Sequence, residues 1–281
     1  MGTPDRQPLH DVSLICVDTR HPDQAWWAIE RCGASLAFAA VDFFCPANWV
    51  PPRSRPDTGV ALHPIAPICG IEGYNRFMLT GLAEHVRTSH VLVMQWDGFV
   101  SEPERWSADF LQWDYIGAPW YHSGSAGSVG NGGFSLRSRK LLHALREIDL
   151  PDTREPEDAA ICVTLRPLLE TRHGIRFAPL EVAQRFACEY GPFRPAFGFH
   201  GMHNFAHVMG PDALEKWLDY CPPDILTTQH ARKLVKSLMQ NGRANQAIDL
   251  LRRRIRQQGL TPDNVNLMIR SMARRVQETV M

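Results

Sequence analysis

The sequence predicts an α/β domain with a largely parallel sheet, followed by a small helical extension. Three observations predict it. Short apolar runs of strand length alternate with helical stretches through the first half, as in βαβ units. A glycine-rich stretch then leads into a strand and a capped helix. After Cys221-Pro222-Pro223 the chain turns wholly helical and basic.

The elements follow in order. Val12–Val17 is an apolar run closing on Asp18-Thr19-Arg20, a buried strand opening into a polar loop. Residues 22–31 read as a helix, Leu36–Phe44 as a second strand and 59–65 as a short third. Apolar positions at helical spacing predict a helix over 71–86. His90–Met94 is another buried strand, ending at Gln95-Trp96-Asp97-Gly98. Five glycines fall in residues 124–133, a loop composition that lets backbone approach a ligand closely. Phe134–Arg137 reads as a strand, and Ser138 as the N-cap of a helix over 139–148. A helix over 158–171 begins with acids, as its dipole prefers. Residues 186–205 carry Gly191, Pro192, Pro195 and Gly198 and read as loop. Two amphipathic helices, 228–240 and 245–257, are joined by Asn241-Gly242-Arg243, and Pro262 opens a third at its first position. The pair has the spacing of one tetratricopeptide-like hairpin, which needs a neighbour to dock on.

Over 281 residues, 30 Lys+Arg balance 30 Asp+Glu, but the zero is a cancellation. Residues 1–222 hold 19 basic against 26 acidic side chains (−7), and 223–281 hold 11 against 4 (+7). Two modules are therefore expected: 1–222 as the catalytic or binding domain, and 223–281 as a basic extension. The extension would contact a partner protein or a second copy, or dock on the acidic body. Arg252-Arg253-Arg254 and Arg256 read as a solvated face, with an anionic lipid surface as the sharper alternative and nucleic acid disfavoured. No apolar run is long enough to span a membrane. Met1–His10 lacks the apolar core of a leader, so a cytoplasmic protein, peripheral at the inner membrane face, is the expectation. Seven irregularly spaced cysteines without a CxxC pair predict free thiols.

Asp18 and Asp97 each lie just past a strand's carboxyl end, where parallel sheets bind ligands. Either acid alone could simply cap the turn that follows it. His200, His203 and His207 fall close together, and a spacing of three residues can converge on one metal.

The strings YNRFMLTGL (74–82), TSHVLVMQWDGFV (88–100), DYIGAPW (114–120), VGNGGFSLRSRKLL (129–142), PED (156–158) and FGFHG (197–201) carry a family resemblance. Together they resemble a family of largely uncharacterised bacterial and fungal proteins regarded as glycosyltransferase-like, with a GT-A-type, Rossmann-like nucleotide-sugar-binding domain. More distantly, the chain is similar to the β-1,4-galactosyltransferases. The resemblance spans about Val12 to Phe205. It implies a divalent metal, Mn²⁺ or Mg²⁺, held by Asp97 and by a late histidine, His200 or His203 or both. Gln95 stands where the first acid of the DxD motif would be. Asp158 would be the general base, with Glu157 holding acceptor or sugar. Asp18, Thr19 and Arg20 would contact the donor's base and ribose, and Gln95 and Trp96 would flank the donor. Gly132 and Gly133 would leave room for the sugar, with Trp96, Trp120 and Tyr121 able to stack on it. The implied reaction is inverting transfer of a hexose from a nucleotide-sugar to a hydroxyl acceptor, as in polysaccharide biosynthesis. The rival is a non-catalytic nucleotide-sugar or glycan-binding assembly protein on the same scaffold, motivated by Gln95 and the basic helices. A hydrolase of the same donor is a third reading.

Overall fold

The computed structural model describes residues 6–52, 59–120, 129–148, 150 and 155–280. Tyr121 and the first half of the glycine-rich stretch, 124–128, lie outside the described residues. Two compact units emerge, Met1–His200 and Gly201–Met281. Compactness thus divides the chain at His200, whereas the change in charge falls at Pro222.

The first unit is α/β, as the alternating pattern predicts. Strand β1 (Gln7–Val17), helix α1 (Pro22–Ser35), β2 (Leu36–Pro46) and β3 (Val60–Ile65) come first, then α2 (Gly70–Arg76) and β4 (His90–Met94). After them come β5 (Phe99–Val100), β6 (Tyr115–Ile116), β7 (Phe134–Ser138) and α3 (Arg139–Glu147). The unit closes with α4 (Glu157–Ala159), α5 (Arg166–His173), α6 (Leu180–Phe186), β8 (Ala187–Cys188) and β9 (Gly198–Phe199). The main sheet has the order β3-β2-β1-β4-β7-β6, with β5-β9-β8 as a small second sheet. β1 pairs in parallel with both β2 and β4, while β7 runs antiparallel to β4 and β6. All five residues of β4 are buried, which is why its sequence is an unbroken apolar run. Ile15, Val17, Phe44, Val91 and Val93 pack under Met78, Leu82 and Val86 in one core cluster. Tyr115, Leu141, Leu145, Ile161, Leu169 and Phe177 form another.

Ser138 caps α3 as predicted, its Oγ accepting from Leu141 N at 3.0 Å. The two longest predicted helices of this unit are broken instead. Residues 71–86 divide into α2, a π-helical turn Phe77–Gly81 and a 3-10 turn Leu82–Glu84. Residues 158–171 divide into α4, a π turn Ala160–Thr164 and α5. Leu165 N bonds back to Ala160 O at 2.8 Å, and Pro167, which has no N–H, sits in the first turn of α5. The stretch 186–205, read as loop, contains β8 and β9. All seven cysteines are free thiols, six buried and Cys69 exposed.

The second unit is helical: α7 (Phe205–Val208), α8 (Pro211–Asp219), α9 (Pro223–Leu226), α10 (Gln229–Gln240), α11 (Ala244–Gln258) and α12 (Pro262–Val280). Gly242, at φ +67°, turns α10 into α11. The arginine run of α11 is only partly a solvated face. Arg254 is buried and donates to Leu226 O and, at 2.8 Å, to Thr228 O. Arg253 donates to Leu218 O at 2.9 Å and to Asp219 at 2.6 Å. Arg252 and Arg256 remain exposed. Among the described residues, no helix is long and apolar enough to cross a membrane.

Candidate functional site

β1 leads through α1 to β2 on one side and pairs with β4 on the other, so the strand order reverses there. The crevice beyond the carboxyl ends of β1 and β4 is the position at which open α/β sheets bind ligands. Register fills it. Cys16 pairs with Met94, which sets Asp18 and the Gln95-Trp96-Asp97 turn beyond neighbouring strand ends. Met94 pairs with Phe134, so Gly133 meets Gln95, and Gln95 N donates to Gly133 O at 2.9 Å. In the small sheet, Phe199 pairs with both Phe99 and Cys188. Its successor His200 therefore lies between Asp97 and Glu189.

The His200 ring is bonded on both sides. Nε2 lies 3.2 Å from Asp97 Oδ1 and 3.2 Å from Gln95 Oε1. Nδ1 lies 3.1 Å from Glu189 Oε1. Burial alone would depress the imidazole, but the Asp97 and Glu189 carboxylates outweigh it and hold the ring well above its ordinary range. The cradle therefore favours positive charge. Asn131, held at φ +60°, turns the chain into this cradle, its Oδ1 accepting from Phe134 N at 3.2 Å.

Asp158 stands at the rim of the cradle. Its Oδ2 accepts from Gly132 N at 2.9 Å and its Oδ1 from Ala159 N at 2.8 Å. Glu157 has a different part from the one the resemblance implies. Its side chain is 5% exposed and pairs with the fully buried Arg137 at 2.9 Å. Burial pushes the Glu157 carboxyl up, and the Arg137 guanidinium pulls it back. Glu157 therefore acts inside the protein.

The two glycines make room for the protein's own side chains. A Cβ on Gly132 would sit 2.0 Å from Glu157 Oε1, and one on Gly133 would sit 2.1 Å from His200 Nε2. Without those glycines neither side chain could reach its place.

Asp18 and Thr19 build the loop after β1. Asp18 Oδ1 accepts from Arg20 N at 2.8 Å and His21 N at 2.6 Å, and Thr19 Oγ1 accepts from Ile68 N at 2.9 Å. Asp18 thus does cap the turn that follows it. Burial raises its carboxyl, the two N–H groups oppose that, and neighbouring Asp97 adds to it. Arg20 is exposed. The Trp96 ring lies edge-on to His21, with centroids 6.0 Å apart.

Sequence reasoning missed five contributors. Glu189 orients His200. Tyr190 has its phenol raised by burial first and then by the charges of Glu189, Asp97 and Asp158. Tyr74 Oη accepts from Gln95 Nε2 at 3.0 Å. Asn75 clamps the start of α4, accepting from Glu157 N at 3.0 Å and donating to Glu155 O at 2.7 Å. Arg137 carries the pair with Glu157. Tyr74, Asn75 and Arg137 all fall inside the strings that carry the family resemblance, which was the available signal. His203 belongs to the second unit, on the turn Met202–Asn204.

A groove of about 530 Å³ lined by Trp27, Arg31, Phe38 and Val60 contains none of these residues. Converging charge, rather than volume, marks the site.

The chain belongs to the family described as a protein of unknown function (DUF5672), which matches it over residues 60–200. Comparison with curated proteins gave no match. Solved structures similar to the chain include a glycosyltransferase involved in the glycosylation of the major capsid of PBCV-1. It is 11% identical, covering 67% of this chain and 91% of that one, with a TM-score of 0.44. Another is the galactosyltransferase LgtC in complex with donor and acceptor sugar analogs, 11% identical, covering 74% and 94%, with a TM-score of 0.41. A third is the apo form of the glycosyltransferase GlyE of Streptococcus pneumoniae, 12% identical, covering 75% and 60%, with a TM-score of 0.44. Likenesses at this level leave the chemistry to be read from the site's own residues.

Proposed function

We propose that the chain is a glycosyltransferase of GT-A type that moves a sugar from a nucleotide-sugar donor to a hydroxyl acceptor. One observation carries the reading. Asp18, Asp97, Asp158, Glu189 and His200 come from five separate segments and converge beyond the carboxyl ends of β1 and β4. So much acid in one cradle suits a cation, which in turn can carry the diphosphate of a donor.

Asp97 and His200 fit a divalent ion. Their oxygen and imidazole donors suit Mn²⁺ or Mg²⁺. The Glu189–Nδ1 hydrogen bond leaves Nε2 turned toward Asp97, the arrangement of a metal-binding histidine with its supporting carboxylate. Among the described residues no group of three or more His, Cys, Asp and Glu side chains is arranged to hold an ion, so the donor's phosphates would complete the ligand set. The ion would supply Lewis-acid neutralisation of the departing diphosphate. Asp158, at the rim, accepts the acceptor's hydroxyl proton as its oxygen bonds to the anomeric carbon. The bond from that carbon to the diphosphate breaks, releasing the nucleoside diphosphate. Asp158 acting as the base suits inversion.

Thermal unfolding with UDP-, GDP- and dTDP-sugars, with and without Mn²⁺, tests the proposal, since a ligand of the folded state raises its melting temperature. One donor should raise it, more with Mn²⁺, and Asp97→Ala should remove the Mn²⁺-dependent part. No shift with any donor would end the reading. Glu189→Gln should weaken Mn²⁺ binding roughly 10–100-fold in calorimetric titration with the donor nucleotide present. An unchanged affinity would remove Glu189 from the site.

A second reading, a non-catalytic binding protein, draws on Gln95. Its amide bridges Tyr74 and His200, so the position of the missing acid serves the scaffold. Donor binding without any product would favour it.

A further inference from the structure

The last helix is amphipathic in the reverse sense. α12 buries two polar side chains and one leucine on its inner face: Asn264 (0% exposed), Leu267 (1%) and Ser271 (0%). Its outer face exposes Val265 (39%), Ile269 (63%), Met272 (51%) and Val276 (64%). Spacings of four, three and four residues align these in one stripe, roughly 16 Å long at the helical rise. Leu260, just before the helix, is exposed as well. Ordinary surface helices place such residues inward.

The charges of α12 are sorted too. Its two acids are engaged within the unit. Asp263 accepts both Arg232 Nε and Arg232 Nη2 at 2.7 Å. Glu278 accepts Ala244 N at 3.2 Å and lies 3.6 Å from Arg274. The helix also exposes Arg270 and Arg275, which flank the stripe on opposite sides. On α11, Arg252 and Arg256 add to the exposed basic surface, although Arg252 shares Asp249.

We propose that this face of α12 docks on an anionic lipid surface, with the stripe in the acyl boundary and the arginines among the headgroups. A convex apolar ridge flanked by cations fits a deformable apolar phase with negative charge at its edge. A second copy seated stripe to stripe would bring like charges together. Nucleic acid would gain nothing from the apolar residues. The inference is independent of the sugar-transfer reading, and either stands without the other.

Co-sedimentation of the full chain with vesicles tests it, using phosphatidylcholine alone against phosphatidylcholine and phosphatidylglycerol at roughly two to one. The chain should partition to the anionic vesicles and not to the neutral ones. The pair Ile269→Glu with Met272→Glu should weaken binding at least about tenfold. Arg270→Glu alone should weaken it less, whereas added salt should weaken it strongly. All three positions are exposed, so circular dichroism should stay unchanged. Equal or absent partition of the wild-type chain to both vesicles would overturn the proposal, as would unimpaired binding by the Glu variants. A dimer that light scattering finds in the wild type and not in the Ile269→Glu, Met272→Glu chain would give the face to a second copy instead.

Discussion

If the proposed sugar transfer holds, Asp158→Asn should lower its rate by roughly 10²–10⁴-fold while fold and donor binding survive. The geometry gives both halves of this expectation. Asp158 is partly exposed at the cradle's rim, and each of its oxygens already accepts one backbone N–H. A carboxylate has about four acceptor sites, so two bonds leave capacity for an incoming hydroxyl. Asparagine keeps one carbonyl oxygen and loses the ability to take the proton. The structural cost is therefore one backbone hydrogen bond, about 1–3 kcal/mol at most. The rate loss corresponds to about 2.7–5.5 kcal/mol in the transition state. Initial rates with saturating donor, set beside donor affinity by titration, separate the two effects. A variant that keeps a tenth or more of the wild-type rate at unchanged affinity would strip Asp158 of the base role.

Why Asp158 was legible in the sequence while Glu189 was not follows from how each is placed. Asp158 falls in the PED string that carries the family resemblance, and that resemblance draws attention to it. Glu189 matters only because β8 and β9, two residues each, pair in register and set it beside His200. Strands that short leave no periodic trace among the glycines and prolines of residues 186–205. The long strands were legible for the opposite reason, since β4 is buried along its whole length and reads as five consecutive apolar or histidine positions. The π turns were not, because the apolar spacing continues through them and only the hydrogen-bond ladder changes. Pro167 was the one local hint of a break. Gly132 and Gly133 read in the sequence as room for a donor sugar. What approaches, Glu157 and His200, depends on contacts 25 and 67 residues away along the chain.

Arg137→Met should destabilise the first unit by about 3–5 kcal/mol, which is a large share of the 5–15 kcal/mol that holds a typical domain together. Arg137 is fully buried, and beyond Glu157 its Nε donates to Ser135 Oγ at 3.0 Å and its Nη2 approaches Gly132 O at 3.4 Å. Removing it strands a carboxylate that burial already penalises. The sign of the pH dependence then follows. In the variant, Glu157 titrates higher in the folded chain than in the unfolded one, so the folded state binds the extra proton. Stability should fall as pH rises and recover toward acid, with the deficit at pH 8 exceeding that at pH 5. Adding Glu157→Leu to Arg137→Met should restore most of the loss, because an apolar pair replaces a buried ion pair at little net cost. Urea midpoints at the two pH values measure all of this. A deficit below about 1 kcal/mol, or one indifferent to pH, would mean that Glu157 is not held as an anion by Arg137. The double variant also exposes what the ion pair is for. Glu157 and Asp158 are consecutive, Arg137 grips both Glu157 and the Gly132 carbonyl, and Gly132 N holds Asp158. If the restored protein is stable yet slow with bound donor, the buried pair sets the position of the base, and the fold tolerates its cost for that reason.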